Sequence, residues 1–314
     1  MYRSILVPLD GSKFAEAALP IAESIARRTG ASLEIVRSHE PFEPERPADC
    51  WTPHYDPEED AAYQVREQAY LDTTVHTLQE KSLISVKSTL VSGAVVSGVL
   101  KRARASAADL IVMATHGRGP VGRLMLGSVA DTLLRHAAIP VLLLRSGEDS
   151  QSWAAPDFDH ILVPLDGSKL AACALPPAIG IGRLTDARFT LVRVVERGYH
   201  PFGHSGANDP SLQYNKMNWQ IQHDGSEQRI LDAAHYLECI AARLRLVSPR
   251  VEKVVLEGDA AGAILHEAST RNVDLIAIAT HGRGGLKRIL LGSVADKIIR
   301  GTVTPVLAYR PTSV

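Results

Sequence analysis

Short apolar runs alternate with stretches of helical periodicity along the whole chain. "SILVPLD" is β-branched and apolar and ends at Asp10-Gly11, so it reads as a strand. Ser12 then caps "KFAEAALPIAESIARRTG", a helix that Pro20 bends or breaks and Gly30 closes. "ASLEIVRS" is a second strand, and the Pro-rich, acidic "PFEPERPADCWTPHYDPEED" a long loop. "AAYQVREQAYLDTTVHTLQEKS" has helical spacing, "ISVKSTLVSG" reads as a strand, and "AVVSGVLKRARASA" as a helix. "DLIVMATHG" is a strand, "SVADTLLRHAAI" a helix, and "PVLLLR" a fifth strand.

The same order then returns. "SILVPLDGSK" (Ser4 to Lys13) reappears as "HILVPLDGSK" (His160 to Lys169), identical at nine of ten positions. "ATHGRGPVGRLMLGSVAD" (Ala114 to Asp131) reappears as "ATHGRGGLKRILLGSVAD" (Ala279 to Asp296). Asp10 and Asp166 are 156 positions apart, whereas Gly117 and Gly282 are 165 apart. The second copy therefore carries nine extra residues, placed most simply in a loop "RGYHPFGHSGANDPSLQYNKMNWQIQHDG". A period this long is a domain copied in tandem, not a solenoid repeat. The expected domains are residues 1–147 and 158–314, with a polar linker around Ser146 to Asp159.

Strands alternating with helices predict an α/β fold with helices on both faces of a parallel sheet. The expectation is two tandem doubly wound five-stranded parallel sheets. Strand order 3-2-1-4-5 would set the two most closely repeated segments, after strands one and four, side by side where the order reverses. "IPVLLLR" and "TPVLAYR" are short and apolar, with no charge between Pro and Arg. Such edges invite pairing, so the halves are expected to join through their fifth strands as an intramolecular pseudo-dimer. Further association into a homodimer is allowed but not demanded.

Composition narrows the function classes. The 314 residues are 45% hydrophobic and 22% charged, with a formal net charge of -1. No basic excess favours a nucleic-acid backbone. Cys50, Cys173 and Cys239 are scattered, without the spacing of a zinc site or a disulfide framework. No apolar run approaches a membrane span, and a soluble cytoplasmic protein is expected.

The repeated motif carries the candidate chemistry. Gly117 ends strand four and lets backbone N–H groups approach an anion. Arg118 and Arg123 lie in the excursion that follows, and Gly127 and Ser128, followed by Val129, open a helix. A helix start attracts phosphate through unpaired N–H groups and its dipole. Gly282, Arg283, Arg288, Gly292, Ser293 and Val294 repeat the arrangement. The same "SVAD" also fits a capping box, with Gly127 as a simple turn residue. Asp10 and Asp166, preceded by Pro8-Leu9 and Pro164-Leu165, either cap a turn or face a base or ribose. His116 and His281 follow Thr at the strand end without a base or nucleophile beside them, so neither is assigned a catalytic role. "GRGPVG" matches GxGxxG, but its counterpart "GRGGLK" does not, and both follow strand four. A dinucleotide site is thus disfavoured, and no Walker A sequence occurs.

These residues resemble the universal stress protein family in tandem form. Its nucleotide-binding members carry Gly-x2-Gly-x9-Gly-Ser/Thr after strand four, matched here by Gly117, Gly127 and Ser128 and by Gly282, Gly292 and Ser293. Ala114 and Ala279 stand where that pattern has its first Gly. The resemblance implies an adenine-nucleotide α-hydrolase-like, Rossmann-like fold and an adenine nucleotide (ATP, ADP or AMP) in each half. It also implies adenine contacts through the backbone of Ser38 and Val194, pocket contacts at Met113 and Ile278, and a role in stress response. Single-domain members dimerise through their fifth strands. Mg²⁺ is the usual companion of a triphosphate, but no dedicated ligand set is visible. A regulatory binding protein, not a fast enzyme, is the expectation. A slow ATP hydrolase, with His116 and Asp131 the candidate bases, or a nucleotide-independent partner-binding module are the alternatives.

Overall fold

In a computed structural model, residues 1–40, 57–115, 126–145, 157–196, 227–280 and 291–311 are described, with 211–226 described as helical backbone alone. His116, Gly117, Arg118, Arg123, His281, Gly282, Arg283 and Arg288 lie outside the described residues. So do Cys50 and most of the linker.

The first half runs β1 (Ser4–Pro8), α1 (Lys13–Glu16), α2 (Leu19–Thr29), β2 (Ser32–His39), α3 (Pro57–Lys81), β3 (Val86–Ser92), α4 (Val95–Ala105), β4 (Leu110–Thr115), α5 (Ser128–His136) and β5 (Val141–Arg145). The second half runs β6 (His160–Pro164), α6 (Lys169–Ala172), α7 (Leu175–Gly182), β7 (Arg188–Val195), α8 (Ser211–Leu244), β8 (Val251–Glu257), α9 (Ala260–Thr270), β9 (Leu275–Ala279), α10 (Ser293–Gly301) and β10 (Val306–Tyr309). Local chemistry accounts for the first helical segment. The Ser12 hydroxyl accepts from the Ala15 N–H at 3.1 Å, which starts α1. The helix breaks before α2, whose first turn holds Pro20, where a missing N–H is not needed. Gly30, at φ 72°, closes α2 in the left-handed region.

All ten strands form one sheet, ordered β3-β2-β1-β4-β5-β10-β9-β6-β7-β8. Each half has the expected 3-2-1-4-5 order with parallel neighbours. At the centre β10 runs antiparallel to β5, with Leu307 opposite Leu142 and Val306 opposite Leu143. The two expected sheets are therefore one continuous sheet.

Alternation along the strands divides the apolar side chains between two cores. Ile5, Val7, Leu33 and Ile35 enter one, beneath α2, α3, α7 and α8. Leu6 and Val36 enter the other, beneath α4, α5, α9 and α10. Both cores cross the central junction, through Leu142 and Leu307 on one face and Leu143 and Val306 on the other.

Two segments depart from the sequence reading. Pro57–Asp60 belongs to α3, not to the preceding loop. Pro57 suits a first helical position, and Glu58, Glu59 and Asp60 complement the positive end of the dipole. Ser211–Gly225, read as loop, is the first part of α8. That helix has 34 residues against 25 in α3, so the nine-residue excess appears as helix length. No Pro interrupts it, and Gly225 costs only about 1 kcal/mol relative to Ala.

Candidate functional site

β1 lies between β2 and β4, with Pro8 opposite Val36 and Leu6 opposite Ile111. Because β2 and β4 leave β1 in opposite directions across the sheet, their carboxyl ends flank the reversal point where open α/β sheets bind ligands. The turn leaving β1 is built from Asp10, Gly11 and Ser12. Gly11 and Gly167 take φ of 84° and 88°, which excludes ordinary side chains. The carboxylates of Asp10 and Asp166 accept the N–H groups of Ser12 and Ser168, each at 2.8 Å. These hydrogen bonds establish the turn-forming role of both aspartates.

The next component is the start of α5 and α10. Gly127 and Gly292 are the N-cap residues, and among the described residues neither helix start has a side-chain cap. The capping-box reading is therefore corrected: Ser128 and Ser293 are the first helical residues. Asp131 is bound instead by Arg135 at 2.7 Å, and Asp296 by Arg300 at 2.8 Å. The hydrogen bond from Arg135, with the charges of Arg135 and Arg300, holds the Asp131 carboxyl below its ordinary value despite partial burial. Gly127 has φ -57° and ψ 148°, which any L-residue can adopt. A Cβ there would meet none of the described residues within 4 Å. Neither conformation nor packing among the described residues accounts for this glycine. In the second half the Gly292 N–H donates to the Thr280 carbonyl at 2.8 Å, bringing the helix start against the end of β9.

The other candidates surround these ends unevenly. Ser128 and Ser293 are exposed, while Val129 and Val294 are half-buried against the core. Pro8 is half-buried; Leu9, Pro164 and Leu165 are buried. Met113 and Ile278 are 7% and 5% exposed, so they offer a ligand little surface. Ala114 is half-buried and Ala279 buried. Ser38 and Val194, each one residue before the end of its strand, are half-buried, but only Ser38 has a hydroxyl, which donates to the Gly93 carbonyl at 2.5 Å. The halves thus differ at this position.

A polar group beside Ser38 escaped the sequence reading. Buried His39 bonds Glu67 through Nδ1 at 2.8 Å and Asp60 through Nε2 at 3.1 Å. The Arg37 Nε donates to the other Glu67 oxygen at 2.9 Å. Arg37 also lies over the Tyr70 ring at 5.4 Å, as Arg193 lies over Tyr236 at 5.1 Å. Aligning the halves on these stacks puts Val195 and Ala233 where His39 and Glu67 stand. The cluster therefore belongs to the first half alone. Its sequence signal was the polar triplet Arg37-Ser38-His39 ending an apolar strand, whereas the second strand ends Arg193-Val194-Val195. Glu67→Ala strips both Arg37 and His39 of a buried partner and is expected to cost about 3 kcal/mol, read by chemical denaturation. A loss below about 0.5 kcal/mol would show that the cluster does not tie α3 to β2.

Residues 1–145 and 157–310 each match the pattern of the universal stress protein family. The chain belongs to that family. It is similar to a universal stress protein of Mycobacterium tuberculosis strain H37Rv at 26% identity, over 98% of this chain and 94% of the relative. A universal stress protein of Thermus aquaticus is 34% identical over 46% of this chain and its own whole length. Among solved structures, a universal stress protein from Archaeoglobus fulgidus DSM 4304 matches with a TM-score of 0.66 at 17% identity, covering 98% of both chains. That likeness shows the fold. Among the described residues of this universal stress protein, no helix is long and apolar enough to cross a membrane. None of its described residues form a group of three or more His, Cys, Asp or Glu able to hold a metal.

Proposed function

We propose that each half binds an adenine nucleotide (ATP, ADP or AMP) and that the protein is a regulatory nucleotide-binding protein of the stress response. The observation that carries this reading is the start of α5. A helix with no side-chain cap among the described residues begins at an N-cap glycine required by neither backbone conformation nor described neighbours, at the reversal point of the sheet. Its first N–H groups have no intrahelical acceptors, and its dipole is positive there, so a phosphate is a fitting acceptor. Exposed Ser128 adds a hydroxyl donor. Gly292 and Ser293 supply the same elements to the second half. The ends of β1 and β2, with Asp10 and Ser38 or Asp166 and Val194, are the places for the nucleoside. Unequal affinity of the two halves follows from the Ser38–Val194 difference.

Purified protein is expected to retain or take up about one nucleotide per half, read by mass spectrometry and by calorimetric titration with ATP. Turnover should fall far below the ordinary enzyme median of about 10 s⁻¹, because no general base is assigned beside the phosphates. Asp131, one candidate base, is already committed to Arg135 and Arg300. Absence of any bound adenine nucleotide would favour a partner-binding module, and turnover near that median a hydrolase.

A further inference from the structure

The helices that open the two proposed phosphate sites end at the junction between the halves. α10 is nine residues long and ends at Gly301, with Thr302 as its C-cap. Arg145, the last residue of β5 in the other half, donates through Nη1 to the carbonyls of Arg300 at 2.6 Å and Thr302 at 3.1 Å. The arrangement recurs in reverse. Arg310, immediately after β10, donates through Nη1 to the carbonyl of Arg135 in the last turn of α5. Arg300 also reaches Asp131 of α5 at 3.3 Å, so the two helices touch through an ion pair as well.

Arg145 is only 7% exposed. Burial, with Arg300 nearby, pulls its guanidinium below its ordinary value. A buried cation needs acceptors, and carbonyls at the negative end of a helix suit it. Each arginine is therefore a C-terminal cap supplied by the opposite half. A nine-residue helix is about 13 Å long, so its two ends are parts of one short rod.

We infer that Arg145 and Arg310 are positioning residues acting in trans: Arg145, in the first half, sets the phosphate helix of the second site, and Arg310 that of the first. The inference rests on the nucleotide reading above. It makes the two sites energetically linked: a nucleotide at one helix start biases a helix whose other end is held by the partner half. Such linkage is reciprocal.

The test uses the full chain and ATP. Gly127→Leu silences the first site, and Gly292→Leu the second, so each background reports one site. Adding Arg145→Met is expected to weaken ATP about tenfold in the Gly127→Leu background and less than about twofold in the Gly292→Leu background. Arg310→Met should show the reverse pattern. Arg145→Lys, which keeps the charge and a donor, should recover most of the loss. Hydrogen exchange without nucleotide should show Arg145→Met loosening the last turn of α10 and leaving α5 protected. If Arg145→Met weakens the first site, or both alike, the inference is overturned while the nucleotide reading stands. If the parent chain binds no ATP, the nucleotide reading fails and takes the inference with it; the exchange pattern still reports whether the cap acts across the junction.

Discussion

Leu142→Asp should cost about 4 kcal/mol or more and loosen both halves together, although the substitution lies in only one. Leu142 is fully buried, paired with Val112 on one side and Leu307 of the other half on the opposite side. The change removes a buried isobutyl group and puts a carboxylate where its fully buried neighbours Leu110, Val112, Leu144 and Leu307 are apolar. The cavity alone is worth about 2–5 kcal/mol, and an unpaired buried charge adds to it. Whole domains are stable by only about 5–15 kcal/mol. The core holding Leu142 also holds Leu165, Ile181 and Leu307, so damage at the junction propagates into the second half. Hydrogen exchange should show lost protection in β6 and β9 as well as in β1 and β4. The same chemistry at fully exposed Leu83 should change stability by less than about 0.5 kcal/mol. Loss confined to the first half would mean that the sheet is two independent units meeting at an edge.

The parts of this architecture that were legible in the sequence are those set by local pattern. Apolar β-branched runs gave the strands, and the Asp-Gly-Ser turn, Pro20 and Gly30 gave the broken first helix. That the halves join through their fifth strands was readable from two uncharged edge strands, because an exposed edge of that kind invites pairing; the antiparallel direction was not. Features set by competition between distant groups were less legible. "SVAD" has the spacing of a capping box, but Asp131 can form an i,i+4 pair with Arg135 and also meets Arg300 from the other half. Two guanidinium groups outcompete a neutral N–H for one carboxylate. His39 gave no periodic signal, because its partners Glu67 and Asp60 come from a helix beyond a long connection. Arg145 and Arg310 were visible only as charges ending a strand; their acceptors are carbonyls, which no side-chain pattern reveals. The nine extra residues of the second half fit most simply into a loop that includes Ser211–Gly225, whereas in the structure that stretch is helix. A helix can extend through such a stretch when no Pro interrupts it.

The double variant Gly127→Leu, Gly292→Leu should keep its fold and lose ATP affinity by at least about 100-fold. The two halves of that expectation have separate physical grounds. A side chain at Gly127 meets none of the described residues within 4 Å, and the φ and ψ of both glycines, -57° and 148°, -61° and 141°, are open to leucine. A glycine supplies no side-chain cap to lose, so replacing either N-cap glycine costs at most about 1 kcal/mol. Thermal unfolding should therefore remain cooperative. A phosphate can use the first N–H groups only if it comes within hydrogen-bond reach of the backbone, and an isobutyl group there occupies that approach. Hydrogen bonds to a charged partner are worth about 1.5–3 kcal/mol each, so losing one or two accounts for the stated factor. Gly127→Ala with Gly292→Ala should fall between parent and leucine variant, because one methyl blocks less of the approach. Calorimetry on the three folded proteins decides the matter. Equal ATP affinity in all three would mean that the glycines do not face a phosphate, and the site would have to be sought away from the starts of α5 and α10.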